Sequence, residues 1–184
     1  MATKRKTDIE IPESYIVFDI ETTGFTPDRA EIIEIGAIRM VNGQPDGAFQ
    51  SYIKPYGYLP LQITALTGIT TEMLDDAPRI DAVIPRFLRF LDENPLPLVA
   101  HNSAFDCRFL TAYCAALGEN FTSYTVVDSL KLARAYVPIK CHKLEVLKDH
   151  FGLKINSHNA VDDCRVTAYL VEWCRNARKQ IKES

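Results

Sequence analysis

Along this chain the spacing of hydrophobic positions changes period several times, and each change marks an element. Residues 15–20, Tyr15-Ile16-Val17-Phe18-Asp19-Ile20, are almost unbroken apolar, the density expected of a strand covered on both faces. Residues 31–41 form a second run of strand character, Asn42-Gly43 is a strong hairpin signal, and residues 48–54 read as a third strand, so the chain opens with an antiparallel meander. Residues 60–77 read as short and irregular, with one helical turn over 71–74. Helical spacing then sets in at Ile80, Val83, Ile84, Phe87, Leu88 and Leu91, with Pro85 as a first-turn proline or a mild kink, and Asn94-Pro95 ends the segment. Leu98-Val99-Ala100 is a short strand, Ser103 opens a helix that Gly118 stops, and residues 124–127 make a fifth strand. Three helices follow, over 128–136, over 142–151 closed by Gly152, and from about Asn159 into the basic tail. A meander followed by alternating strand and helix describes an α/β fold with a five-stranded mixed sheet flanked by helices.

Composition narrows this further. A chain of 184 residues, 47% of them hydrophobic, supports one well-filled core, so a single domain is expected over 14–184 behind a flexible polar segment over 1–13. No apolar run approaches the roughly 20 residues that cross a bilayer, and Met1-Ala2-Thr3-Lys4-Arg5-Lys6 lacks the apolar segment of a signal peptide, so the expectation is a cytoplasmic protein without a membrane partner. The five cysteines are odd in number and contain no Cys-x-x-Cys pair, which favours buried, reduced thiols over a zinc site or a disulfide framework. A net charge of −3 argues against gripping nucleic acid through a broad basic face, and Lys4-Arg5-Lys6 and residues 175–182 read as solvated ends.

Chemistry enters where acids interrupt the pattern. Asp19 and Glu21, two apart on a strand, point to one face, where they repel each other and lose hydration. A divalent cation resolves that conflict; a strand ending at the surface with two solvated acids fits equally well. Asp106 stands in the first turn of a helix, where Ser103-x-x-Asp106 by itself reads as a capping box. Ser157-His158-Asn159-Ala160-Val161-Asp162-Asp163 brings a histidine to the approach of a helix and an aspartate into its first turns, again ordinary helix-start chemistry when taken alone. As a set, four acids and one histidine at the ends of regular elements supply rigid oxygen ligands for hard divalent ions and one group that titrates near neutrality.

Asp19-Ile20-Glu21-Thr22-Thr23-Gly24, His101-Asn102-Ser103-Ala104-Phe105-Asp106 and His158-x-Ala160-x-x-Asp163 resemble, in order and spacing, the three motifs of the DEDDh 3′–5′ exonucleases, the family of ribonuclease T and of the proofreading subunit of bacterial DNA polymerase III. Asp128-Ser129-Leu130 and Leu66-Thr67-Gly68-Ile69 match the family more weakly. The resemblance implies a ribonuclease H-like fold and hydrolysis of phosphodiesters at 3′ ends, preferably of single-stranded DNA, with two Mg²⁺ or Mn²⁺ ions and release of nucleoside 5′-monophosphates. It implies metal ligation by Asp19, Glu21, Asp106 and Asp163, the last rather than Asp162, with His158 as general base. Thr22, Thr23, Phe25, Leu66, Asn102 and Phe105 would frame the terminal nucleotide, core packing being the alternative for Leu66 and Phe105. His101 and His142 read as structural or surface residues, and Lys140-Cys141-His142-Lys143 carries no assigned function. Partners left open are RNA 3′ ends, a polymerase or other DNA-processing complex and, since several relatives are dimers, a second copy. The chain stops soon after its last helix, which as an expectation counts against the partnership the proofreading subunit makes through its tail. The rival from another class is a strand-end binding or accessory module that does not cut.

Overall fold

The computed structural model describes residues 9–155 and 159–183. Five strands form one mixed sheet: β1 (Tyr15–Thr22), β2 (Ile32–Val41), β3 (Gln44–Tyr52), β4 (Leu98–Ala100) and β5 (Val126–Asp128). Their spatial order is β3-β2-β1-β4-β5, with β1, β2 and β3 antiparallel and β4 and β5 added parallel to β1. The expected meander is present, and its turn sits where the sequence placed it. Asn42 and Gly43 both adopt positive φ, 51° and 79°, as a two-residue hairpin with right-handed strand twist requires.

The helices are α1 (Leu61–Thr67), α2 (Thr71–Asp75), α3 (Ile80–Asp92), α4 (Ala104–Ala116), α5 (Ser129–Tyr136), α6 (Leu144–His150) and α7 (Ala160–Glu183). Residues 60–77, expected to be irregular with a single turn, contain two short helices instead. The first ends at Gly68 with φ 73°, and Thr70 caps the second by accepting from the Met73 amide at 3.4 Å. No side chain of α1 is buried, so no core-facing stripe betrayed it in the hydrophobic pattern. Pro85 lies inside α3 rather than in its first turn. The fifth strand runs later than expected because a turn from Phe121 to Tyr124 precedes it.

Alternation along β1 divides the core. Ile16, Phe18 and Ile20 point into one cluster with Val83, Phe87, Phe109 and Leu110, from α3 and α4. Tyr15 and Val17 point into the other, with Leu132, Leu147, Cys164 and Leu170, from α5, α6 and α7. Of the polar lead-in expected over 1–13, residues 1–8 lie outside the described residues; Ile11 is buried in the second cluster, and Arg175 donates to the carbonyls of Pro12 and Glu13. Of the cysteines expected to be buried, Cys114, Cys164 and Cys174 are, whereas Cys107 is half-buried and Cys141 is exposed. No helix among the described residues is long and apolar enough to cross a membrane.

Candidate active site

Asp19 and Glu21 follow Tyr15 and Val17 on the α7-facing side of β1, and the first turn of α7 brings Asp163 to them. One carboxylate oxygen of each residue lies within 4.8 Å of the other two. Asp162 is not part of this triad and pairs with Arg165. Asp106, from the first turn of α4, is buried and accepts a hydrogen bond from the Ile20 amide at 3.3 Å. The same carboxylate also accepts from its own amide in the first turn of α4, so it serves both the helix start and the sheet, whereas the Ser103 side chain makes no capping bond.

The electrostatics of these acids suit a cation. Burial raises the Asp19 pKa well above the usual carboxylate range, reinforced by Asp106, Glu21, Asp163 and Glu34. Glu21 is pushed up to about 8 by burial and then by Asp163, Glu34 and Asp106, and burial lifts Asp106 to about 7. Among the described residues, the neighbouring charges that raise Asp19 and Glu21 are all carboxylates. Among the described residues, neither forms an ion pair with a lysine or arginine. Carboxylate oxygens gathered this closely fit a hard divalent ion such as Mg²⁺ or Mn²⁺.

Glu34 was not anticipated. It lies opposite Glu21 in the β1–β2 register and is fully buried. Its carboxylate accepts from Gln50 Nε2 at 2.7 Å, Asn159 Nδ2 at 3.3 Å and the Ala160 amide at 3.2 Å, so β2 holds the start of α7 in place. The signal existed: an acid in the middle of Ile32-Ile33-Glu34-Ile35, where every neighbour is apolar. Gly36, two residues on, permits the same contact, since a Cβ there would stand 2.6 Å from the Ala160 carbonyl carbon. Asp128 was noted only as a weak match, yet it joins two elements. Its Oδ1 accepts from the amides of Asn102 and Leu130, both at 3.0 Å, fixing the turn in which Asn102 takes φ 61°.

The expected substrate-framing residues divide. Asp19, Asp163, Phe25 and Asn102 line one groove of about 840 Å³, and Phe25 is 82% exposed. Thr22 and Thr23 spend their hydroxyls on the loop itself. Thr22 donates to the Gly24 carbonyl at 2.6 Å, and Thr23 accepts from the Glu31 amide at 2.8 Å. Phe105 stacks on Phe109 at 5.1 Å, half in the core, while Leu66 is 54% exposed on α1; neither lines the groove. His158 lies outside the described residues; it immediately precedes Asn159, which Glu34 anchors.

A family model described as Exonuclease, RNase T, matches residues 16–171. A DNA polymerase III of PolC type from Clostridium perfringens is 38% identical over 173 residues, 93% of this chain. The chain spans only 12% of that polymerase's length. Among solved structures, Exonuclease X in complex with 5′ overhanging duplex DNA superposes with a TM-score of 0.71 at 26% identity, covering 88% of this chain and 91% of the other. Exonuclease I shares the fold, with a TM-score of 0.80 at 18% identity over 94% of this chain and 44% of its own. The family match over most of the chain, on a ribonuclease H-like sheet with acids gathered at one end of its central strand, shows that this chain belongs to the RNase T exonuclease family, the DEDDh 3′–5′ exonucleases.

Proposed function

We propose that the chain hydrolyses the terminal phosphodiester of single-stranded or frayed DNA 3′ ends and releases nucleoside 5′-monophosphates. The observation that carries this reading is the convergence of Asp19, Glu21 and Asp163 within 4.8 Å, with Asp106 buried beside them. When bound there, two divalent ions supply charge stabilisation for both the attacking and the leaving oxygen of an in-line displacement. Asp19, Glu21 and Asp163 would hold one, and Asp19 with Asp106 the other. His158, directly ahead of the anchored Asn159-Ala160 pair, is assigned the proton from the attacking water. Phe25, exposed in the groove, offers an apolar face to the terminal base without reading its identity, which suits sequence-tolerant trimming. The likeness to PolC-type polymerases supports work alongside DNA synthesis, and the DNA-bound Exonuclease X neighbour supports DNA as substrate.

The test is a ladder assay with 5′-labelled single-stranded DNA, 5′-overhanging duplex and RNA, each with Mg²⁺, Mn²⁺ or chelator. Shortening from the 3′ end is expected, fastest on single-stranded DNA and abolished by chelation. A 3′-phosphate should block the reaction, because its added charge would sit beside the carboxylates. First cuts in the strand interior, or equal digestion of 3′-hydroxyl and 3′-phosphate ends, would overturn this function.

A further inference from the structure

The connection between α5 and α6 carries Lys140-Cys141-His142-Lys143, and the fold places it on the groove that contains Asp19 and Asp163. Lys140 and Lys143 line that groove together with Arg134 of α5. All three are exposed, and among the described residues none takes part in an ion pair. Arg39, Lys54, Arg165 and Arg175 have carboxylate partners; what distinguishes Arg134, Lys140 and Lys143 is that they share one groove with Asp19 and Asp163. In a chain of net charge −3, three cations with no ion pair among the described residues are thus gathered on a groove that Asp19 and Asp163 also line.

The segment is held, not loose. The ring Nε2 of His101 meets the His142 carbonyl at 2.8 Å, and its Nδ1 meets the Ser129 hydroxyl at 2.9 Å. Burial lowers the His101 pKa, which favours the neutral ring. A carbonyl only accepts, so Nε2 carries the hydrogen and Nδ1 accepts from Ser129. His142 in turn meets the Val137 carbonyl through Nε2 at 3.1 Å, and the Ile139 amide donates to the same carbonyl at 2.9 Å. The cationic side chains therefore stand on a backbone fixed to the turn that leads into α4, the helix of Asp106.

We infer that Arg134, Lys140 and Lys143 bind the backbone phosphates of single-stranded DNA just 5′ of the bond being cleaved. This rests on the exonuclease reading: with the 3′-terminal nucleotide at the carboxylates, the strand has only its 5′ side left to place. The groove, at about 840 Å³, lies near the top of the roughly 300–1,000 Å³ typical of small-ligand pockets, with room beyond a single nucleotide. Binding through phosphates is blind to base sequence and fixes the register of the strand, and it does not need a broad basic face.

Binding of a 12-nucleotide DNA strand is measured by fluorescence anisotropy across a salt series, in the non-cleaving Asp19→Asn background. The Lys140→Ala/Lys143→Ala pair should reduce the slope of log Kd against log salt by about 1.4, since each phosphate contact on a single strand contributes about 0.7. Arg134→Ala should reduce it by about 0.7. Lys179→Ala/Lys182→Ala, at the far end of α7, should leave it unchanged. Cys141, the exposed cysteine between Lys140 and His142, serves as a footprint: saturating DNA should slow its alkylation by iodoacetamide at least ~5-fold. Unchanged slopes, or undiminished alkylation with DNA bound, overturn the inference, and tighter binding of a matched RNA overturns the choice of DNA. Cleavage by the wild-type chain is scored separately. Changed slopes without any 3′-end cleavage would leave the phosphate wall standing and sink the exonuclease reading, while cleavage with unchanged slopes would do the reverse.

Discussion

At the scale of single residues, the acids of the site are held against their own preference. Burial and four neighbouring carboxylates raise the Asp19 pKa, so its charged form is costly until a cation arrives. Asp19→Asn removes a buried ionisable group from the cluster. It should abolish cleavage while raising the melting temperature of the chelated protein at pH 8, and near-normal activity in that variant would refute ligation by Asp19. His158 has a different expected signature. His158→Ala should slow turnover by roughly 10²–10⁴-fold, the span of a lost general base, with metal affinity by calorimetry little changed. A loss of metal binding would make it a ligand instead.

At the scale of elements, the site depends on how α7 sits on β2. Asp163 reaches Asp19 and Glu21 because Glu34 receives the Asn159 side chain and the Ala160 amide, and because Gly36 has no side chain to hold the helix off. Within the helix, the Asp163 amide donates to the Asn159 carbonyl at 2.9 Å, so the anchored residue and the metal-facing one belong to the same turn. Gly36→Ala puts a methyl 2.6 Å from the Ala160 backbone and should cost about 1–3 kcal/mol in denaturant unfolding, as overpacking usually does. Glu34→Ala leaves the buried Ala160 amide without its acceptor and should cost about 1–3 kcal/mol. Both should lower kcat more than they raise KM, because they move Asp163 without touching the groove wall. A stability loss with full kcat would show that α7 keeps its place by other means.

For the whole molecule, the acid cluster couples folding to pH and to metal. Glu21 titrates near 8 when folded against a usual value of 4.5, and Asp106 near 7 against 3.8, so between those values the folded chain binds more protons than the unfolded one. Stability then falls as pH rises, and the part that comes from these acids being protonated is fully present only below about pH 4 and gone above about pH 8. In chelator, the melting temperature should therefore drop from pH 5 to pH 8. Divalent metal, which competes with protons for the same oxygens, should flatten or reverse that drop. A chelated protein whose melting temperature rises over this interval would show that the carboxylates find other compensation.

Much of this protein is written locally. The apolar strand runs, the Asn42-Gly43 turn and the helical spacing of Ile80 to Leu91 each follow from a few adjacent residues, and together they specify a five-stranded mixed sheet flanked by helices. The common face of Asp19 and Glu21 follows from strand alternation alone. Tertiary structure decided what local chemistry left ambiguous. Ser103 and Asp106 spell a capping box, yet packing of α4 against the sheet sends the carboxylate to the Ile20 amide, 86 positions away. Glu34 looked like one acid in an apolar strand, and its partners became visible only when α7 crossed β2. The α1 helix left no clear periodic trace because none of its side chains is fully buried, and the 140–143 segment acquired a neighbour in the carboxylate cluster only through chain closure by His101. Elements form from contacts between residues near in sequence, whereas the site is assembled from contacts spanning 41 to 126 residues, which no local pattern encodes.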